Sequence, residues 1–174
     1  ANPESEPSPA IAANARELTA GLSSNLEKEK AIYRYVAMKY RYISVSLGVG
    51  RYRPHSAEEV FGNQFGDCKD KHTLFVSLLR AAGIEAWPAL IGAGIKFDKD
   101  VPSPAQFNHV ITVIPQDGKY TWIDTTAEVA PFGFLSALIR DENSLVIPSF
   151  GPERKPPFLQ KTPLDPPFES SELI

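Results

Sequence analysis

Two kinds of hydrophobic spacing divide this chain at Gly83. Before it, apolar residues recur at helical intervals. After it, they run in short β-type stretches. Helices followed by antiparallel strands define an α+β architecture rather than an alternating α/β one.

The helical half reads as four segments. A first helix is expected over residues 10–22, with Gly21 near its end. Ser24 and Glu27 have the spacing of a capping box and open a second helix. Its apolar stripe is Leu26, Ile32, Tyr33, Val36 and Tyr40. The chain then turns extended over residues 42–47, and Gly48, Gly50 and Pro54 mark an irregular loop. Ser56 and Glu59 repeat the capping-box spacing before a short helix over 57–61. Gly62 and Gly66 bracket a turn. The longest helix follows, over 68–82, with Leu74, Phe75, Leu78, Leu79 and Ala82 on one face and Gly83 as its stop.

Strands are expected over 84–91, 107–114, 120–126 and 145–147. Pro115-Gln116-Asp117-Gly118 joins the second to the third, and Asp-Gly is a strong hairpin signal. Residues 1–9 read as a linker, 10–147 as the core, and 148–174 as a Pro-rich tail or linker. No internal repeat is present.

Charge and composition exclude some functions. A net charge of −3 offers no basic footprint for nucleic acid. No apolar run reaches the roughly 20 residues that span a bilayer, so no membrane contact is expected of this fragment. No signal peptide opens the chain, and its first residue is not Met, so a processed or excised piece is expected, with other domains on the same chain.

The single cysteine excludes a disulfide framework and a Cys-rich metal site. A lone cysteine is commonly a small buried hydrophobe. Cys68 has a more telling position. Gly66-Asp67-Cys68-Lys69-Asp70 opens the long helix, where unpaired N–H groups and the macrodipole favour a thiolate. The Cys68 amide is placed to serve an oxyanion beside its own side chain. Asp67 and Asp70 act in the opposite direction, because nearby carboxylates raise a thiol's pKa. Both read as helix caps, Asp67 at the N-cap and Asp70 in the first turn. A nucleophilic Cys68 therefore needs a cationic partner.

Three histidines are available. His72 shares a helix face with Cys68, which could begin a metal site, but no third or fourth ligand is evident. Its placement on the helix surface, with nothing to orient it, argues against a role as base. His55, beside Pro54, has the context of an exposed or turn-packing residue. His109 lies in a strand-like run, and the next run carries Asp124. If the Pro115–Gly118 quartet closes the hairpin, paired residue numbers sum to 233 and His109 faces Asp124 directly. If Asp117-Gly118 alone forms the loop, the sum is 235 and the two are diagonal. Either register puts both side chains on one face. An acid so placed orients the ring and stabilises imidazolium, which supports Cys–His nucleophilic catalysis.

The run over 41–91, containing GRYRPHSAEEVFGNQFGDCKDKHTLFVSLLRAAGIEAWPALI, resembles the transglutaminase-like core superfamily. So do FNHVITV and YTWIDTT, in the expected order. The likeness covers residues 10–130 and is greatest to bacterial multi-domain proteins in which this core follows a β-rich domain. It implies a papain-like fold with Cys68 as nucleophile, His109 as acid and base, and Asp124 as orienter. It also implies acyl transfer on amide bonds through a thioester, either hydrolysis or transfer to an amine, on a protein or peptide substrate. No metal or organic cofactor is required. Gln64 sits just upstream, as an oxyanion glutamine does in papain; as an ordinary residue it would be a polar turn. A periplasmic or extracellular location is favoured by the resemblance alone. Two other readings stand beside this one. The first is a non-enzymatic interaction module that keeps the fold; the second is a metal protein using Cys68 and His72.

Overall fold

The computed structural model describes residues 3–44, 53–148 and 155–165. Residues 45–47 of the expected extended stretch, the loop glycines Gly48 and Gly50, and residues 149–154 and 166–174 of the tail lie outside them.

Four helices precede the main sheet. They are α1 (Pro9–Leu18), α2 (Asn25–Lys39), α3 (Ala57–Asn63) and α4 (Cys68–Ala81). A two-stranded parallel ribbon, β1 (Arg41–Tyr42) and β2 (Phe65–Gly66), runs between them. Five antiparallel strands follow: β3 (Trp87–Ile91), β4 (His109–Gln116), β5 (Lys119–Ile123), β6 (Asn143–Val146) and β7 (Phe158–Lys161), in the order β5-β4-β3-β6-β7. Tyr120 on β5 and Phe158 on β7 stack with centroids 6.0 Å apart, so the two edges of the curled sheet meet through aromatic rings.

The capping boxes form as spaced. Ser24 and Glu27 bond reciprocally at the start of α2, as do Ser56 and Glu59 at α3. Helix α1 ends earlier than the periodicity suggests. The Thr19 hydroxyl donates to the Ala15 carbonyl at 2.7 Å, offering the backbone a local alternative to another helical turn. Leu26 is 47% exposed and does not join the α2 stripe, whereas Ile32, Tyr33, Val36 and Tyr40 are buried. Gly62 lies inside α3, which runs on until Gln64 takes the left-handed conformation at φ 60°.

Alternation sorts the sheet residues between two apolar clusters. Ile114 and Ile123 pack with Leu74, Phe75 and Leu78 of α4 and with Ile32 and Val36 of α2. Their sequence neighbours Val113 and Trp122 join Trp87, Ala89, Ile91 and Ile111 in the second cluster. Helix α4 is enclosed on all sides: every residue from Asp70 to Leu79 is buried. The tail contributes β7, which pairs with β6. Pro156, Pro157 and Pro163 flank those four residues and obscure them in the sequence. Ahead of α1, Ser5 is buried and Glu6 accepts from Arg80 at 2.7 Å. Among the described residues no helix is long and apolar enough to cross a membrane.

One buried acid strains this helical layer. Glu29 on α2 is 1% exposed, and its Oε2 finds no hydrogen-bond partner among the described residues. Burial pushes its carboxyl up to about 6 from 4.5. The folded chain thus holds this proton more tightly than the unfolded one. The Glu29 contribution to stability falls as pH rises from about 4.5 to about 6, by about 2 kcal/mol in all. Glu29→Gln should remove that slope and unfold at higher urea than wild type at pH ~7.5. An unchanged slope in the variant would assign it to another group.

Candidate active site

Helix α4 begins at Cys68 because Asp67 caps it. The Asp67 carboxylate accepts from the Lys69 N–H at 3.1 Å and the Asp70 N–H at 3.3 Å, and Asp70 accepts from the Asp67 N–H at 3.3 Å. Both carboxylates are further engaged. Asp67 forms an ion pair with the Lys69 ammonium. Asp70 accepts from the His55 N–H at 2.8 Å and contacts His55 Nδ1 at 3.1 Å. His55 therefore has a partner that its sequence context did not reveal. The two acids flanking Cys68 are thus both occupied, as reciprocal caps and by Lys69 on Asp67 and His55 on Asp70.

Gly66 allows this turn to close. A Cβ there would stand 2.5 Å from the Asp70 Cβ. Any side chain at this position would push against the capping carboxylate from backbone already fixed by β2.

His109 and Asp124 are brought together by the β4–β5 hairpin. Asp117 and Gly118 form a two-residue loop, both at positive φ (50° and 75°), as a type I′ turn requires. Thr112 pairs with Ile123 and Gln116 with Lys119, which is the register summing to 235. His109 and Asp124 are thus diagonal. Asp124 lies just beyond the end of β5, and Thr126 folds back onto it with its N–H at 2.9 Å and its hydroxyl at 2.6 Å, both donating to Oδ1. The other oxygen, Oδ2, meets His109 Nε2 at 3.0 Å.

Burial disfavours a charged His109, but it is outweighed. Hydrogen bonds to Asp124 and to the Cys68 side chain, together with their charges, push the imidazole up to about 10. Asp124 shows the converse: burial raises its carboxyl, while His109 and Thr126 bring it below its ordinary value. The result is an imidazolium held between a carboxylate and a sulfur. Cys68 itself is half-buried at the helix start, at the edge of the site.

The remaining candidates sit differently. Gln64 is the exposed αL cap of α3, and its carbonyl accepts from the Arg41 N–H at 3.1 Å. Among the described residues no hydrogen bond joins its side chain to Cys68 or His109. His72 is buried, not on the helix surface. Its Nδ1 meets the Thr112 hydroxyl at 2.7 Å, and burial lowers it to about 4, so it is neutral near pH 7. Thr112 is the orienting partner that sequence spacing did not suggest. No group of three or more His, Cys, Asp or Glu able to hold a metal occurs among the described residues.

Tyr42 was not legible as a site residue. On β1 it pairs with Gly66, and its backbone N–H donates to Glu128 Oε1 at 2.7 Å. Burial raises its phenol, and the nearby charges of Cys68, Asp67 and Asp124 act in the same direction. Only a two-residue parallel pairing brings it there, and no local pattern announces such a contact.

The model of the transglutaminase-like superfamily matches residues 12–124. A solved chain described as a "putative protease" from Parabacteroides distasonis superposes with a TM-score of 0.61 at 18% identity, covering 79% of this chain and 26% of that one. A "putative cysteine protease" from Cytophaga hutchinsonii superposes with a TM-score of 0.51 at 19% identity, covering 71% of this chain and 41% of that one. The present chain thus spans well under half the length of either. None of the curated protein sequences matches it.

Proposed function

This chain belongs to the transglutaminase-like superfamily, and on that footing we propose that it carries out cysteine-dependent acyl transfer on amide bonds, with Cys68 as nucleophile, His109 as acid and base, and Asp124 as orienter. The observation that supports this most is the His109 ring, hydrogen-bonded to Asp124 at 3.0 Å and to the Cys68 side chain. Nε2 faces the carboxylate, leaving Nδ1 for the sulfur.

In this mechanism the Cys68 thiolate attacks the carbonyl carbon of an amide and a C–S bond forms. The oxyanion gathers at the Cys68 N–H, since Asp67 takes the next two N–H groups of the first turn of α4. His109 gives its proton to the leaving nitrogen, the C–N bond breaks, and a thioester remains. Neutral His109 then takes a proton from water or an amine as that acceptor attacks the thioester. The C–S bond breaks and the thiolate–imidazolium pair returns. Asp124 keeps the ring in one orientation and favours its charged form throughout.

Water as acceptor gives an amidase or peptidase; a primary amine gives a transglutaminase-type transferase. The test is a glutamine-containing peptide incubated with and without monodansylcadaverine, followed by mass spectrometry of peptide and protein. An acyl group on Cys68, with either deamidated or cleaved peptide or an amine adduct, is the expected result. Product formation undiminished in Cys68→Ala would overturn the reading. A thiol inert to every acyl donor would favour the interaction module.

A further inference from the structure

Lys71 is a buried charge that the mechanism does not use. It stands three residues after Cys68 on α4 and is 0% exposed. Its ammonium donates to the Ala37 carbonyl at 3.1 Å and to the Tyr40 carbonyl at 2.6 Å. Both lie at the C-terminal end of α2, where helix carbonyls lack intrahelical partners and the macrodipole is negative. A lysine from one helix therefore caps another.

The chain that leaves this cap is held on every side. Arg41 donates its N–H to the Gln64 carbonyl at 3.1 Å, and Ile43 donates to the Gly66 carbonyl at 3.0 Å, just ahead of Cys68. Between them the Tyr42 N–H is taken by Glu128, four residues beyond Asp124. Glu128 and Asp124 are also the charges whose fields reach the Lys71 ammonium and favour it against the cost of burial. Residues 40–42 thus form a strap, with one fastening on the nucleophile helix and another on the loop that follows the acid.

Resting on the Cys68–His109–Asp124 reading, we propose that Lys71 and Glu128 are positioning residues. They fasten residues 40–42 between α4 and the loop after Asp124, and so fix the gap between the Cys68 thiol and the His109–Asp124 pair. Neither touches substrate. Loosening either fastening lets the thiol drift from the imidazole, which should weaken the ion pair more than it weakens the fold.

The test uses iodoacetamide alkylation of Cys68 across pH in wild type, Lys71→Met, Glu128→Ala and Glu128→Gln. Circular dichroism checks that each variant is folded. At pH ~5, where only an ion-paired thiol reacts, Lys71→Met and Glu128→Ala should each be slower than wild type by at least about fivefold. At pH ~9.5, where the thiol ionises unaided, they should fall within about twofold of wild type. A variant that was merely damaged would not show this split. Glu128→Gln, whose amide oxygen can still accept the Tyr42 N–H, should recover at least about half the wild-type rate at low pH.

If both Lys71→Met and Glu128→Ala match wild type at low pH, the proposal is overturned while the triad reading survives. A wild type that lacks the low-pH reactivity overturns the triad and the strap together. If Lys71→Met fails to fold, the exposed Glu128 decides alone. Loss in Ala with recovery in Gln supports the strap, and no loss in Ala overturns it.

Discussion

Asp124→Asn should lower turnover by about 10²–10⁴-fold while leaving the chain folded, on the scale of the orienting acid in a catalytic triad. The two carboxylate oxygens have separate duties. Oδ1 accepts two bonds from Thr126, and Oδ2 accepts from His109 Nε2. An asparagine has one acceptor oxygen. If it serves Thr126, an NH₂ group faces the imidazole. The ring must then accept at Nε2 and carry its hydrogen at Nδ1, the tautomer that cannot take a proton from the thiol. If the amide flips, both Thr126 donors lose their acceptor, a penalty of about 1–3 kcal/mol. The negative charge is lost in either case. Burial, which already disfavours imidazolium, then acts against one fewer opposing charge, and His109 falls below its present value of about 10. Imidazole NMR titration should show that fall. An unchanged His109 titration together with wild-type turnover would show that Asp124 does not orient the base.

Acidification should destabilise the fold by about 3 kcal/mol through His72 alone, between pH ~6.5 and ~4. In the unfolded chain this imidazole takes up a proton near 6.5, but in the folded chain only near 4. The unfolded state binds more protons in that window, so stability is full above 6.5 and is lost as pH falls through 4. The cause is location: His72 lies on α4 against β4, bonded to Thr112, and burial is what lowers it. His72→Gln should remove this rise, leaving urea stability in the window to fall with increasing pH through Glu29. Its alkylation profile should stay close to wild type, because His72 is not the base. A His72 variant that lost low-pH thiol reactivity, beside a His109→Ala that kept it, would reverse the assignment.

The sequence carried much of this site because it depends on local signals. Asp67 and Asp70 announced the start of α4 to the residue, and the Asp-Gly turn limited the His109–Asp124 pairing to two registers that share one face. Side-chain alternation made that pairing robust to the choice between them. The contacts that remained hidden depend on burial. Periodicity treats a helix as having a wet face, and on that basis alone His72 is expected on the helix surface. Helix α4 has no such face near its middle, since α1, α2, α3 and β4 all pack on it. No residue pattern along α4 shows how many neighbours will cover it. Tyr42 and Glu128 were hidden for a related reason: Tyr42 reaches the site through backbone pairing with Gly66 and Glu128 through its carboxylate on the Tyr42 N–H, both contacts between segments far apart in the chain. β7 was missed because four strand residues between prolines carry too little alternation to stand out.

The central claim is that Cys68 and His109 share one proton as an ion pair at neutral pH. Its most direct test is the rate of iodoacetamide alkylation of Cys68 from pH ~4 to ~10 in wild type and His109→Ala. Wild type should keep a reactive limb well below the ordinary thiol pKa of about 8.5, and His109→Ala should lose it. If the two profiles overlay, each rising only near 8.5, Cys68 is an ordinary cysteine and the catalytic reading is wrong.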